Sequence, residues 1–465
     1  MTAPNKNHIS PGTVPKRLLR KYYKSGPRYT SYPTAPQFKS GFDEEKVKAE
    51  WLKTNTPKGK GLSLYIHIPF CAKRCLYCGC FTEAGHTQET ARKYISALFQ
   101  ETDCILKLID PKRSLEQLAL GGGTPTFLQP EIMQELISGL NKIFKFSPAS
   151  ERSIEIDPRS VDDHYLDLLS ELGFNRFSFG VQDLDPVVQK NVGRIQPEEK
   201  IAGLLAHLRK LNHNAINLDL IYGLPGQTPE SFSATIDKVV RLRPSRIALF
   251  GYAHVPWVSP HQKELLQYHL PDPEERMALF GLAYDQLLDS GYAHIGMDHF
   301  ALPEDELIRS LKTRTLTRNF MGYTTRRGLD LIGIGASSIS SVGVTYAQNE
   351  KEVGKYLEKS ETCFWVKALI LSQEDLLRRE LIIDLFCNFY LDLSAMQQKF
   401  RINFKEHFDR ELSELKTMED DELIIIADDH LQVTDLGRFF IRNICMTFDQ
   451  YLAKDDATVR YSKTI

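Results

Sequence analysis

Four of the chain's eight cysteines lie within ten residues, at Cys71, Cys75, Cys78 and Cys80. Thiolates this close together repel one another unless a cation or a metal cluster binds them, and cysteine-rich loops commonly hold iron and sulfur. Cysteines separated by three and then two residues can ligate three irons of a four-iron cluster and leave the fourth iron without a protein ligand. The spacing therefore predicts that Cys71, Cys75 and Cys78 hold a 4Fe-4S cluster whose open iron binds a chelating substrate.

Structural zinc is the main alternative for such a loop. Zinc sites usually take two pairs of ligands from separate segments, often with histidine, and the sequence supplies no second pair. Cys80 could be a fourth ligand, but it lies only one residue beyond Cys78, so we place it outside the ligand set. An iron-sulfur loop is the favoured interpretation.

The composition is that of an ordinary globular protein, with 42% apolar and 25% charged residues. The net charge of −2 creates no general field that would attract nucleic acid or a membrane surface. No stretch has the apolar length of a signal peptide or a membrane span. The other four cysteines, Cys104, Cys363, Cys387 and Cys445, are scattered, unlike a secreted disulfide framework. We therefore expect a cytoplasmic protein that binds neither nucleic acid nor membrane.

Short apolar runs alternate with longer amphipathic segments between residues 62 and 252. This alternation predicts a parallel sheet with crossover helices, and six such units form an open barrel. The predicted strands cover residues 62–68, 117–120, 153–156, 176–179, 215–221 and 246–252. The predicted helices between them cover residues 88–107, 130–143, 161–172, 197–211 and 229–242. The fold class is thus α/β, an open (β/α)6 partial barrel.

Residue types suited to chemistry gather where the predicted strands end. They are Cys71 after the first strand, residues 121–124 after the second, Glu155 and Asp157 at the end of the third, Gln182 after the fourth, Asp219 late in the fifth and Ala253 at the end of the sixth. The carboxyl ends of parallel barrel strands meet at one rim, where barrel enzymes carry their active sites. We therefore expect these residues to lie around one site.

The chain divides into three segments by composition. Residues 1–60 are polar, with one predicted helix at 44–53, and are interpreted as an arm. Residues 61–360 contain the barrel and its extension. Residues 361–465 are predicted to form a mainly helical, winged-helix-like domain, with helices at 373–387, 393–400, 404–415 and from 435 to about 452, and strands at 423–427 and 431–433. Acidic residues at the predicted wing argue against DNA binding, so we expect a cover.

Several motifs resemble a known family. Residues 65–71, Tyr-Ile-His-Ile-Pro-Phe-Cys, together with the cysteine spacing are similar to the signature of radical S-adenosylmethionine enzymes. Within that superfamily the chain resembles the oxygen-independent coproporphyrinogen III dehydrogenases. The resemblance runs almost from end to end, and its motifs lie at residues 26–34, 78–80, 121–126, 153–159, 180–183, 217–225, 296–301 and 442–446.

The resemblance implies cofactor contacts that spacing could not reveal, because the family places two S-adenosylmethionine molecules in one site. The residues matched to the first molecule are Tyr65, Gly122, Glu155 and Ile339. Those matched to the second are Tyr77, Gly123, Thr124, Gln182, Arg194, Asp219 and Ala253. Without the resemblance, the two tyrosines would be interpreted as core aromatics, Arg194 as a solvated helix residue and the glycines as a tight turn.

The resemblance also implies a reaction of haem biosynthesis, the conversion of coproporphyrinogen III to protoporphyrinogen IX. In the family, one electron from the cluster cleaves S-adenosylmethionine, and a 5′-deoxyadenosyl radical removes hydrogen from the β-carbon of a propionate. Loss of carbon dioxide and a further electron leaves a vinyl group, and a second propionate then reacts. The implied partners are a low-potential electron donor such as a flavodoxin or ferredoxin and an electron acceptor of unassigned identity. We expect a monomer.

Two positions bear on substrate and cofactor. Arg28 in the arm is a candidate partner for a substrate carboxylate. Met321 stands where the family has glutamine, which removes an amide hydrogen bond to the first cofactor but not the reaction.

Two alternative functions were considered. One is a haem chaperone of a related type, although such relatives typically lack the equivalent of Cys80 and the full arm. The other is a zinc-stapled winged-helix regulator, in which the barrel motifs would have no role.

Overall fold

The computed structural model describes residues 9–56, 60–359 and 364–452 together with Tyr461 and Lys463. Cys363 lies outside these described residues. The chain forms two compact units. The barrel unit comprises Phe38–Pro271 and Gly328–Leu371, and the helical unit comprises Met1–Gln37, Asp272–Arg327 and Ser372–Ile465. The division into three consecutive segments stays a prediction.

The barrel unit contains six parallel strands that neighbour one another in chain order. They are Leu62–Ile68, Leu115–Gly122, Phe146–Ile156, Arg176–Gln182, Ile216–Tyr222 and Arg246–Gly251. The predicted open (β/α)6 partial barrel is confirmed. The third strand begins at Phe146, well before the predicted residue 153. The prediction placed its start too late because Pro148 and the charged residues of this stretch hide the apolar pattern.

Helices connect these strands as predicted: Gln88–Leu106, Pro130–Ile143, Asp163–Glu171, Glu198–Lys210 and Pro229–Leu242, with the short helix Pro186–Asn191. Their starts are specified locally. Thr87 accepts a hydrogen bond from the Thr90 N–H, and Thr228 and Ser231 form a reciprocal capping box. Each helix then buries one apolar face.

The barrel sheet extends beyond the first strand in a way the sequence did not predict. Asp330–Ile334 pairs in parallel with Leu62–Ile68. The antiparallel strands Ile339–Val342, Thr345–Asn349 and Trp365–Ile370 continue the sheet. The first barrel strand is consequently an interior strand, flanked on both sides.

A buried carboxylate ties this extension to the first helix. Glu101 of Gln88–Leu106 is 1% exposed. Its carboxylate accepts hydrogen bonds from the Gly335 N–H at 2.9 Å, from the Asn349 amide and from the Tyr356 hydroxyl. Burial raises the pKa of Glu101 to about 7, although these three donors favour the charged form.

Replacing Glu101 with glutamine should therefore change how stability depends on pH. The pKa of Glu101 in the folded state lies above its ordinary value of 4.5, so its contribution to stability is complete below that value and is lost as pH rises through about 7. Between about pH 5 and about pH 8, the free energy of unfolding of wild type should fall by up to about 3 kcal/mol relative to that of Glu101→Gln. Thermal and urea unfolding across this range measure the difference. The exposed Glu135→Gln variant is the control, and parallel pH profiles of Glu101→Gln and wild type would contradict the expectation.

The helical unit begins with the arm helix Lys16–Tyr22, and its middle segment forms the long helix Pro273–Asp289. Two small antiparallel hairpins follow. One pairs Ala293–Gly296 with His299–Ala301, and the other pairs Thr317–Asn319 with Gly322–Thr324. Met321 lies in the turn of the second hairpin, where its N–H donates to Asn319 Oδ1 at 2.8 Å.

The C-terminal part of the helical unit contains the predicted helices and wing. The helices are Gln373–Asn388, Leu393–Phe400, Phe404–His407, Asp409–Asp420 and Ile441–Thr447, and the strands are Tyr390–Asp392, Ile424–Ile426 and His430–Val433. Tyr390–Asp392 is an additional strand that pairs with His430–Val433. The predicted helix 404–415 is interrupted at Phe408, and the last helix is preceded by a 3-10 turn, Gly437–Phe440. Among the described residues, none of the helices combines the length and apolar character needed to span a bilayer.

Candidate functional site

Polar side chains of the barrel strands lie on the inner face of the barrel. In the fourth strand Phe177 and Phe179 are fully buried, whereas Ser178 between them is partly accessible. Ser178 pairs with Glu155 of the third strand and donates a hydrogen bond to Asp219 of the fifth at 3.1 Å. Alternate residues of a strand point to opposite faces, so these polar groups share the inner face of the barrel.

Two carboxylates lie on this inner face. Glu155 is accessible to solvent but surrounded by protein, and this desolvation, with the charge of Asp219, raises its pKa to about 7. The Gly122 N–H donates to Glu155 Oε2 at 3.1 Å. Burial also raises the pKa of Asp219 to about 6, opposed by hydrogen bonds from Asn217 and Ser178. The inner face of the barrel thus offers acceptors for hydroxyl groups and for a cationic ligand.

The cysteine loop, residues 71–80, and the residues just before it are hydrogen-bonded to the segment that follows the second strand. The Gly123 N–H donates to the Ile68 carbonyl and the Thr124 N–H to the Phe70 carbonyl, each at 2.8 Å. Thr124 Oγ1 lies 3.4 Å from Cys71 Sγ. The glycine motif, residues 121–124, therefore fixes the position of Cys71, the first predicted cluster ligand.

The glycines make room for protein neighbours. Gly122 has a φ of 112°, and a Cβ there would lie 2.5 Å from the His67 ring. A Cβ on Gly123 would lie 2.8 Å from the Phe70 carbonyl oxygen. The resemblance places these two glycines against cofactor, and in the structure the space that a side chain would fill at each is taken up by His67 of the first strand and by the backbone of Pro69 and Phe70.

Two guanidinium groups face Cys75, which is 7% exposed. Arg194 Nη1 lies 3.5 Å and Arg159 Nη2 3.7 Å from Cys75 Sγ. Asp157 Oδ2 accepts hydrogen bonds from both arginines, at 3.0 Å and 2.7 Å. Burial opposes ionisation of Asp157, but the two guanidinium groups outweigh it and lower its pKa. Asp157 thus holds two cations against a sulfur that would be anionic as a metal ligand.

Sequence reasoning missed the roles of Asp157 and Arg159. Arg194 was selected only by resemblance, since a residue following a short helix is usually solvated. The signal for the other two was local: Asp-Pro-Arg follows Glu155 after one intervening residue, Ile156, at a strand end, where barrel sites are built.

The opposite side of the cysteine loop is held by the segment after the sixth strand. His261 Nε2 donates to the Cys78 carbonyl at 2.8 Å. The fully buried Gln262 amide donates to the carbonyls of Tyr77 at 2.8 Å and Ala253 at 3.2 Å. One side chain therefore brings together Tyr77 and Ala253, which are distant in sequence.

Irregular backbone places two further predicted residues. Gln182 has a φ of 68°, and the strand register shifts between Gly180 and Gln182, which marks a β-bulge. Gly333 pairs with Tyr65, and a Cβ on Gly333 would lie 2.6 Å from the Ile339 carbonyl oxygen. The absence of a side chain at Gly333 lets Ile339 approach the first strand.

His67 orients Tyr65. The Phe81 carbonyl can only accept, so His67 Nε2, 3.1 Å away, carries the hydrogen, and Nδ1 accepts from the Tyr65 hydroxyl at 3.0 Å. Burial lowers the pKa of His67. His67 is thus a neutral, hydrogen-bonded histidine beside the predicted cofactor residue.

The donor set fits an iron-sulfur cluster. Cys71, Cys75, Cys78 and Cys80 are all free thiols. A hydrogen bond from Cys80 outweighs burial and lowers the pKa of Cys78 to about 6. Cations at Cys75 would likewise stabilise thiolate sulfur. Within the described ranges, no three histidine, cysteine or acidic side chains converge on a single metal ion.

Comparisons with known proteins identify the family. Residues 65–239 match the Radical SAM superfamily, and residues 371–440 match the HemN C-terminal domain. The chain is 41% identical over 452 residues to the oxygen-independent coproporphyrinogen III oxidase of Escherichia coli K12, covering 96% of this chain and 98% of that protein. It is also 41% identical over 443 residues to the Pseudomonas aeruginosa protein of that name, covering 94% and 95%.

The fold agrees with these similarities. The structure of coproporphyrinogen III oxidase (HemN) from Escherichia coli, described as a radical SAM enzyme, has a TM-score of 0.88 and 41% sequence identity. That similarity covers 94% of this chain and 98% of the other. The chain therefore belongs to the family of oxygen-independent coproporphyrinogen III oxidases within the radical SAM superfamily.

Proposed function

We propose that this protein catalyses the oxidative decarboxylation of two propionate side chains of coproporphyrinogen III to vinyl groups, giving protoporphyrinogen IX. The observation that carries the proposal is similarity to oxidases of this substrate over 96% of the chain. The cysteine loop, the glycine motif and the barrel carboxylates lie together in one unit, which supports the same reaction.

The cofactors are a 4Fe-4S cluster and S-adenosylmethionine. Cys71, Cys75 and Cys78 would ligate the cluster. Together these groups supply, when bound, the one-electron chemistry that removes hydrogen from the substrate. The protein orients both groups and keeps water and oxygen away.

The first S-adenosylmethionine is proposed to bind along the first strand. Tyr65, Gly122, Glu155 and Ile339 are its partners. His67 orients the Tyr65 hydroxyl, and the Gly122 N–H orients the Glu155 carboxylate. Glu155 can then accept hydrogen bonds from sugar hydroxyls, which an ionised carboxylate does best.

The second S-adenosylmethionine is proposed to lie toward the later strands. Its partners are Tyr77, Gly123, Thr124, Gln182, Arg194, Asp219 and Ala253. Asp219 is a half-buried acceptor within this set, and Arg194 is a donor fixed by Asp157. An amino acid moiety carries both an ammonium and a carboxylate, so a site with both charges suits it.

The remaining partners follow from the reaction. A low-potential donor such as a flavodoxin or ferredoxin would reduce the cluster, and an acceptor of unassigned identity would take the final electron. We propose that the protein acts as a cytoplasmic monomer.

Anaerobic turnover tests the proposed function. Full-length protein reconstituted with iron and sulfide is incubated with coproporphyrinogen III, dithionite and S-adenosylmethionine, and porphyrins are quantified after oxidation. We expect protoporphyrinogen IX, with methionine and 5′-deoxyadenosine released in proportion to each decarboxylation. Tight haem binding without consumption of S-adenosylmethionine would overturn the proposal in favour of a haem carrier.

A further inference from the structure

Three segments outside the cysteine loop meet within the helical unit. They lie in the arm at residues 26–34, in the turn of the first hairpin at residues 296–299 and in the second hairpin at residues 317–324. Each contributes a polar side chain to the turn formed by Met297 and Asp298. This convergence is an observation independent of the cysteine loop.

Arg318 has no counterion among the described residues. Its Nη1 donates only to the Met297 thioether sulfur at 3.6 Å, a weak acceptor. Its Nε is buried without a hydrogen-bond partner. The guanidinium carbon lies 5.2 Å from the centre of the Tyr323 ring and 5.3 Å from that of Phe386. Aromatic rings therefore hold the cation in place while its hydrogen-bonding capacity stays largely unused.

Arg28 reaches the same turn. Its Nη1 lies 3.7 Å from Asp298 Oδ2, beyond good hydrogen-bond distance, and its side chain is 39% exposed. Its neighbour Tyr29 is anchored to Phe386 by an edge-to-face contact at 6.3 Å. Phe386 thus links the backbone that carries Arg28 to the ring pair around Arg318.

Two other arginines of this unit are fully engaged. Arg327 Nη2 lies 2.8 Å from both Glu380 and Asp384. Arg378 donates to two glutamates and to a backbone carbonyl. Buried or half-buried guanidinium groups normally have such partners because an unpaired charge is costly to desolvate. Arg318 departs from this rule, and Arg28 is only loosely paired with Asp298 at 3.7 Å, which points to a ligand.

A phenol adds a further unused donor. The Tyr323 hydroxyl is buried without a hydrogen-bond partner and lies in the same hairpin as Arg318. A Cβ on Gly296 would lie 2.7 Å from this hydroxyl, so only glycine fits there. Burial raises the pKa of Tyr323, so the hydroxyl stays protonated and can donate.

We propose that Arg28 and Arg318 form a carboxylate-binding site for propionate groups of the tetracarboxylate substrate. The inference rests on the proposed function for the identity of that substrate. Arg318 would exchange a thioether contact for a carboxylate, and Arg28 would exchange its long contact to Asp298 for a closer one. Both exchanges replace weak partners with charge-assisted hydrogen bonds.

Equilibrium binding of coproporphyrin III, followed by fluorescence, tests the site in full-length reconstituted protein. Charged hydrogen bonds contribute about 1.5–3 kcal/mol, so Arg318→Gln should raise the dissociation constant roughly tenfold to a hundredfold. Arg28 is more exposed, so Arg28→Gln should raise it about threefold to tenfold. Arg318→Lys keeps the charge but loses the planar fork, and should fall between wild type and Arg318→Gln.

Arg327→Gln is the matched control. It removes a paired arginine of the same unit, so it should lower the melting temperature and leave the dissociation constant within twofold of wild type. Mesoporphyrin IX, with two propionates instead of four, is the ligand control, and the preference of wild type for coproporphyrin III should shrink in Arg318→Gln.

Each outcome decides the proposal. Dissociation constants within twofold of wild type for Arg28→Gln and Arg318→Lys overturn it, even if Arg318→Gln does not fold. Equal weakening in Arg327→Gln, or no coproporphyrin binding by wild type, overturns it as well. Failure of the proposed function is distinguishable, because wild type would then bind coproporphyrin III without forming product, while the variants still report on the site.

Discussion

Anaerobically reconstituted Cys75→Ser protein should retain little iron and should no longer cleave S-adenosylmethionine. Serine offers a neutral hydroxyl where we expect an anionic sulfur. Arg159 and Arg194 would then lose the negative charge that they face at this position. Iron affinity and the rate of S-adenosylmethionine cleavage should each fall roughly a hundredfold or more. Removing a group that only hydrogen-bonds to a metal ligand already lowers metal affinity about 10–100-fold. Iron content, absorbance of the cluster and methionine release measure the effect.

Two other cysteines provide controls for this result. Cys104→Ser changes a thiol outside the loop and should match wild type in all three measurements. Cys80→Ser should keep the iron content of wild type, because we place Cys80 outside the ligand set. Equal cleavage of S-adenosylmethionine by Cys75→Ser and wild type would refute the cluster assignment.

Gly123→Ala should have the second large effect. The new methyl group would lie 2.8 Å from the Phe70 carbonyl oxygen and 2.9 Å from the Pro69 carbonyl carbon. Both atoms belong to the backbone, so no side chain can rotate away, and the cysteine loop must move from the second strand. We expect a destabilisation of about 1–3 kcal/mol. Displacing Cys71 by about 1 Å should slow S-adenosylmethionine cleavage by roughly 10²-fold.

Gly79→Ala is the matched control for this substitution. Gly79 lies in the cysteine loop, but a Cβ there would meet no heavy atom within 4 Å. Its iron content, melting temperature and cleavage rate should stay close to wild type. If Gly123→Ala behaved like Gly79→Ala, the close approach of Gly123 to the backbone of Pro69 and Phe70 would not be what positions Cys71.

Local pattern was sufficient for the barrel and its rim. The six strands and five helices were predictable because apolar periodicity, capping residues and proline at helix starts act within a few residues. The positions of Cys71, Glu155, Gln182 and Ala253 followed, since the carboxyl ends of parallel strands meet at one edge. The resemblance added the assignment of residues to two cofactor molecules.

The third strand and the interrupted C-terminal helix show where local pattern fails. Phe146–Ile156 contains proline and charges, and only its pairing with Leu115–Gly122 makes its first half a strand. Residues 404–415 have helical periodicity throughout, yet the chain turns at Phe408, which is fully buried. Packing against distant residues decides such cases, and sequence periodicity carries no information about it.

The sequence by itself determined the chemistry: three cysteines at a strand end, carboxylates at the same rim and the family to which they belong. Only the tertiary structure decided that Asp157 holds Arg194 and Arg159 against Cys75. It likewise decided that Glu101 anchors the sheet extension and that Arg28 and Arg318 reach the same turn. The physical reason is distance along the chain. Spacing fixes which residues share a loop or a face, whereas a partner that is distant along the chain is chosen by how the whole sheet pairs and packs.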